Sequence, residues 1–125
     1  MLANFDAMGV MSSASMRDVL RRYGITARTI RHYESEGLIN PDRDRSNTRR
    51  FDRLQQERLA RIVQFRRAGL SIVQIRNWFV TQKHVGQEAA RTYAVEGLVA
   101  QRERLLEALA ANDAALAEIQ NSPSD

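Results

Sequence analysis

The sequence predicts a mainly α fold: several short helices, one small polar β ribbon and a long C-terminal helix. Three observations predict it. Apolar residues recur at helical spacing in segments punctuated by Ser, Thr and Gly. One arginine-rich stretch around Asn47 is too polar to be core. The last third carries an unbroken 3-4 alternation of seam positions.

Residues 1–15 lack a periodic pattern and read as a flexible tail ending in Ser12, Ser13 and Ser15. They carry no basic start and no long apolar run, so no signal peptide is read there. Met8, Met11 and Met16 offer alternative starting points. Ser15 caps a first helix, Met16 to Tyr23, with Met16, Val19 and Leu20 on one face, and Gly24 stops it. Thr26 caps a second helix from Ala27 to Glu36, and Gly37 follows it. Only Gly24-Ile25-Thr26 separates the two, which is the spacing of a helix-turn-helix. After Leu38-Ile39-Asn40-Pro41, the basic segment to Arg50 reads as a two-stranded ribbon turning at Asn47, because Asn tolerates positive φ. This ribbon is the wing of a winged helix-turn-helix.

Asp52 caps a third helix, about Arg53 to Ala68, with Leu54, Leu59, Ile62, Val63 and Phe65 as its apolar face. Ser71 and Gln74 form a capping box for a fourth, Ile72 to Thr81, whose buried face is Ile72, Ile75, Trp78 and Phe79. A loop, Lys83-His84-Val85-Gly86, leads into a final helix from about Gln87 to Gln120. Its seam is Val95, Leu98, Arg102, Leu105, Leu109, Asn112, Leu116 and Ile119. This heptad spacing marks a coiled coil, interrupted by two polar residues of the kind that fix register and strand number. The expected organisation is therefore a tail (1–15), a winged helix-turn-helix (16–82), a linker and dimerisation helix (83–120), and a flexible end (121–125). Gly97, inside the last helix, marks a bend, a close helix contact or the start of the coiled coil.

Composition narrows the function. The net charge is +4, but it is unevenly spread. Met16 to Arg67 holds fourteen arginines against seven acids, whereas His84 to Asp125 holds three against seven. A basic half suits a polyanion. There is no cysteine, which rules out disulfides, thiolate metal sites and thiol redox switching. His32 and His84 form no metal-ligand pattern. No nucleophile–base arrangement or phosphate loop is present, so an enzyme is not expected, and Glu34 and Glu36 lie two apart on a helix, facing different ways. No apolar run is long enough to span a membrane. The expected location is the cytoplasm, on the nucleoid.

On a helical wheel of the second helix, Arg28, Arg31, His32 and Ser35 form one stripe, with Ile30 and Tyr33 opposite. A donor face backed by an apolar face lets a helix lie in the DNA major groove while packing on its own domain. The plainer account is a solvated face; the turn before it and the basic ribbon after it favour DNA.

The segment Gly24-Ile25-Thr26-Ala27-Arg28-Thr29-Ile30-Arg31-His32-Tyr33-Glu34-Ser35-Glu36-Gly37-Leu38-Ile39 resembles the recognition segment of MerR-type regulators. Arg49-Arg50-Phe51-Asp52 and Phe65 through Ile75 resemble that family's wing and following helices, so the likeness spans about Met16 to Thr81. It implies a homodimer joined by an antiparallel coiled coil of the last helices. It further implies binding to a pseudo-palindromic promoter site, distortion of that DNA, and action on RNA polymerase. Arg28, Thr29, Arg31, His32 and Ser35 would meet DNA from the helix, and Arg43, Arg45, Thr48, Arg49 and Arg50 from the wing. Two positions depart from the family pattern: His32 stands where an aromatic is common, and Asn47-Thr48 where a Gly and an aromatic precede the wing arginine. No cofactor is expected. Trp78, Phe79 and Tyr93 read as core packing, with a small apolar pocket as the alternative, so regulation by abundance or by a protein co-regulator is favoured. The competing readings are an architectural, excisionase-like DNA-bending protein and a coiled-coil protein-interaction module.

Overall fold

The computed structural model describes residues 11–124. Its elements run β1 (Ser13–Ser15), α1 (Met16–Tyr23), α2 (Ala27–Ser35), β2 (Asp42–Arg43), β3 (Arg49–Asp52), α3 (Arg53–Arg67), α4 (Ile72–His84) and α5 (Gln87–Asn121). They form two compact units that meet in sequence between Arg67 and Ala68. The fold class is as expected: mostly helical, with a small sheet and a long last helix.

In the first unit, polar side chains close the helix ends as anticipated. Thr26 Oγ1 accepts the Thr29 backbone N–H at 3.2 Å. Gly24, at φ 63°, turns the chain out of α1 and donates its N–H to the Leu20 carbonyl. Ile25 N–H reaches the same carbonyl at 3.3 Å. After α2, Gly37 takes φ 74° and Leu38 N–H bonds back to the Tyr33 carbonyl at 2.9 Å. That reversal places Leu38 and Ile39 in the core. Beyond the expected Ser15 cap, α1 starts with a reciprocal box, in which Asp18 Oδ2 accepts the Ser15 N–H at 2.9 Å while Ser15 Oγ accepts the Asp18 N–H at 3.2 Å.

The sheet differs from the expected two-stranded ribbon. It has three antiparallel strands in the order β1-β3-β2. Ala14 pairs with Phe51, while Arg43 pairs with Arg49. Ser13–Ser15 therefore belong to the sheet and not to a loose tail; residues 1–10 of that expected tail lie outside the described residues. A single apolar residue between serines gives no strand pattern, and the pairing is formed with a segment almost forty residues away. Phe51 and Ala14 are both buried.

Gln56 is another correction to the expected core. Leu54, read as part of the buried face of α3, is 60% exposed, while Gln56 is buried. Its amide is fully used: Nε2 donates to the Met11 and Phe51 carbonyls at 2.8 and 2.9 Å, and Oε1 accepts the Met11 N–H at 2.9 Å. A buried amide is tolerated when its donors and acceptor are satisfied. The rest of the α3 face, Leu59, Ile62, Val63 and Phe65, is buried as expected.

In the second unit, α4 packs along α5. Ser71 and Gln74 form the expected capping box. The helix runs on to His84, so Lys83 and His84 are helical and the connection shrinks to Val85 and Gly86. The boundary between the compact units falls just before this helix. Ile75 is fully buried, whereas Ile72, Trp78 and Phe79 are half-buried. Trp78 and Phe79 meet edge-on with centroids 5.0 Å apart, and Asn77 Nδ2 donates to the Tyr93 hydroxyl at 3.3 Å. Gly97 marks a close helix contact: an added Cβ would lie 3.4 Å from Gln74 Nε2 and 3.5 Å from Leu70 Cδ2.

Two stability predictions follow from the α1 termini. Gly24→Ala forces a Cβ into the left-handed region and is expected to cost about 1–2 kcal/mol in denaturant unfolding. The Asp18 carboxyl is held below its ordinary value of 3.8, chiefly by the Ser15 backbone N–H, with help from the Ser15 hydroxyl and the Arg50 and Arg21 charges against the opposing effect of burial. A depressed acid stabilises the fold above its unfolded value and loses that contribution as pH falls through the folded one. The stability gap between the wild-type chain and Asp18→Asn is therefore expected to hold at neutral pH and to shrink below pH 3.8, as read by unfolding midpoints across pH.

Candidate nucleic-acid interface

The rotation of α2 about its axis is set by what it buries. Ile30 is inaccessible and Tyr33 is 6% exposed. Arg28, Arg31, His32 and Ser35 are all exposed on the opposite side, and Thr29 is half-buried. The structure thus brings the expected recognition residues onto one face. Two of their hydroxyls are already engaged within the helix. Ser35 Oγ donates to the His32 carbonyl at 2.8 Å, and Thr29 Oγ1 lies 3.1 Å from Thr26 Oγ1. The guanidinium groups and the imidazole are the longer-reaching groups of the stripe.

Beside this face opens a cleft of about 310 Å³ lined by Arg28, Thr29, His32, Tyr33 and Arg66. Arg66, in the last turn of α3, was not among the expected site residues. Nothing in its local sequence distinguishes it from Arg67, whose guanidinium donates to the Tyr23 carbonyl and so ties α3 to α1. Only the three-dimensional packing separates a cation that faces the cleft from one that secures the core.

The wing is built by its turn. Asp44 Oδ1 accepts the backbone N–H groups of Ser46 and Thr48 at 2.9 and 3.0 Å. Asn47 adopts φ 59°, as expected for the turning residue. Arg43 closes the loop by donating to the Asn47 carbonyl at 3.1 Å. Arg45 and Thr48 are exposed at the tip. An aspartate whose side chain accepts the amide hydrogen two residues on forms an Asx-type turn, and Asp44, not among the expected wing residues, does so here.

The two arginines at the base of the wing are committed to partners inside the molecule. Arg50 donates from Nε and a terminal nitrogen to Ser13 Oγ at 3.2 and 2.9 Å, bracing β3 against β1. Arg49 Nε meets Glu34 Oε1 at 2.8 Å, with side chains 19% and 25% exposed. Arg49 was expected to grip DNA backbone directly. In the free protein it ties the wing to α2, and Glu34 is the acid that lets it do so.

A recognition-type helix, a preceding tight turn and a braced basic ribbon together define a winged helix-turn-helix fold. The sequence matches the family of MerR HTH family regulatory proteins over residues 14–81. The chain belongs to the MerR family, whose fold is that of DNA-binding transcriptional regulators.

Among solved structures, a MerR family regulator from Listeria monocytogenes is 29% identical, with a TM-score of 0.61 over 86% of this chain and 80% of that one. The regulator SkgA from Caulobacter crescentus is 26% identical, with a TM-score of 0.53 over 90% and 81%. HiNmlR, a MerR family regulator lacking the sensor domain and solved bound to promoter DNA, is 23% identical, with a TM-score of 0.60 over 86% and 90%. No curated protein matches the chain. No helix among the described residues is long and apolar enough to cross a membrane, and no cluster of potential metal ligands occurs among them.

Removing the acid from the Glu34–Arg49 pair leaves a partly buried guanidinium without its carboxylate. Glu34→Ala is expected to lower stability by about 1 kcal/mol, a value between exposed and buried pairs. Thermal unfolding of the single variants and of Glu34→Ala/Arg49→Ala would show whether the two losses are coupled.

Proposed function

We propose that the chain acts as a homodimeric transcriptional regulator that binds a pseudo-palindromic promoter site, distorts it and thereby controls RNA polymerase there. The observation that carries this reading is the single exposed face of α2, with Arg28, Arg31 and His32 projecting away from buried Ile30 and Tyr33. A helix so arranged presents hydrogen-bond donors to base edges in the major groove. The wing would supply phosphate contacts through Arg43, Arg45 and Thr48, and the half-buried Arg49 and Arg50 would add charge at its base. Arg66 joins the same surface. Phosphate contacts position the protein and base contacts specify the site.

The dimer interface in this reading is the α5 seam. Val95, Leu105, Leu109, Leu116 and Ile119 are each more than half exposed in the single chain, Leu98 is half-buried, and Arg102 and Asn112 are exposed. Large apolar side chains at heptad spacing and open to solvent call for a helical partner. Family membership supports the reading, as does the basic character of the winged unit. Regulation by abundance or by a protein docking on the dimer fits a chain with no cysteine.

Selection of genomic fragments by the purified protein at physiological salt, followed by footprinting, tests the proposal. Protected dyad sites between promoter elements are the expected result; weak, uniform retention of all sequences would overturn it in favour of an architectural role. In the same assay Arg31→Ala is expected to weaken specific binding by about 1–3 kcal/mol per half-site and relax the sequence preference. Arg45→Ala is expected to weaken binding to all sequences alike and reduce the salt slope by about 1.

A further inference from the structure

The α5 seam has a property beyond its heptad spacing: it is complementary to itself when reversed. Laid antiparallel against a second copy, with the two-fold axis level with Glu107, Val95 meets Ile119 and Leu98 meets Leu116. Arg102 then meets Asn112, and Leu105 meets Leu109. All eight seam residues find partners of their own kind. The two polar residues fall in the same layer, which occurs twice by symmetry, and every remaining layer is wholly apolar.

We propose that the second copy docks on α5 in this one register, selected by a layer in which Arg102 faces Asn112 of the second copy. The inference rests on the homodimer reading above, with the antiparallel orientation that the family resemblance implies, and adds the register. The competing alignments each put a polar group where it has no complement. A slip of one heptad toward the N-terminus sets Arg102 against Leu105 and Asn112 against Val95. A slip the other way sets Arg102 against Ile119, Asn112 against Leu109 and Leu98 against Pro123. A guanidinium or amide pressed on an apolar side chain loses hydration with no hydrogen bond in return. A parallel, in-register pair is worse, since it sets Arg102 on its own copy, like charge on like. In the proposed layer the guanidinium donates to the Asn112 amide oxygen, and Asp113, the next residue in the chain, brings a carboxylate close by. One polar layer in a coiled coil is a known means of fixing register and orientation.

The flanks agree with this alignment. Val99 and Leu106 are 53% and 50% exposed and sit beside the seam. With the axis level with Glu107, the two copies of Leu106 come together across it, widening the apolar strip where the helices cross the dyad. The paired stretch from Val95 to Ile119 is roughly 36 Å long at about 1.5 Å per residue.

Because these 125 residues hold no cysteine, introduced ones report the alignment without background. Full-length Leu98→Cys and Leu116→Cys proteins would be oxidised separately and after mixing, with sedimentation of the unsubstituted chain alongside. The expected result is a disulfide-linked heterodimer in the mixture, exceeding either homodimeric disulfide by roughly tenfold or more. Val95→Cys with Ile119→Cys repeats the test at the next layer, in case the first pair disrupts assembly. Cross-linking of each variant with itself would show a parallel coil and overturn the proposal. So would preferential cross-linking of Leu98→Cys with Leu109→Cys, the signature of a one-heptad slip. An unsubstituted chain that sediments as a monomer would instead remove the homodimer reading itself, and the register with it.

Discussion

The burial of Ile30 and Tyr33 is the constraint on which the winged unit depends. With both against the core, α2 cannot rotate, and the cationic stripe one half-turn away must face outward. The same two side chains explain why the caps around α2 matter. Thr26 and Gly37 fix where the helix begins and ends. A one-residue shift in either would turn the stripe by about 100° and carry Arg31 toward the core. Recognition by a rigid helix is therefore a packing property before it is an electrostatic one.

The wing is held to this frame rather than hanging from it. Phe51 in the central strand is buried, Gln56 fastens its carbonyl from below, and Arg49 reaches across to Glu34 on α2. The Glu34–Arg49 pair places a negative charge one residue after Tyr33, on the side of α2 turned to the wing. In the proposed complex, approach of a phosphate would compete with Glu34 for the same guanidinium. Part of the favourable phosphate contact would then be offset by loosening the wing, so Arg49 is better suited to setting the wing's angle than to supplying raw affinity.

Much of this was legible in the sequence because it is local. Helix starts at Ser15, Thr26, Asp52 and Ser71, and the turning residue Asn47, announce themselves within three or four positions. What escaped was non-local. Strand β1 exists only because Phe51 offers an edge to Ala14 from far along the chain, and Gln56 is core only because Met11 and Phe51 both present carbonyls to it. Likewise, Arg49, Arg50, Arg66 and Arg67 look alike in a sequence. Glu34, Ser13, the recognition-face cleft and the Tyr23 carbonyl make them different. Charge patterns locate a basic surface, but the duty of each cation depends on which acceptor the fold brings to it.

The division of charge along the chain gives the last constraint. The acids from His84 onward outnumber the arginines seven to three, in contrast to the basic segment before Arg67. A helix of that character gains nothing from a phosphate backbone, so in the proposed complex attraction to DNA would fall to the winged unit. The seam of α5 follows the same logic at a finer scale. Its apolar residues would bind almost any apolar helix; in the proposed register its one cation and one amide, placed symmetrically about Glu107, would give the seam a preference for its own reversed image. Two recognition helices presented to one DNA face must be related by a two-fold axis to read a dyad. In the proposed dimer, an interface whose polar residues are satisfied only about such an axis would supply that relation from the protein's side, before any DNA is bound.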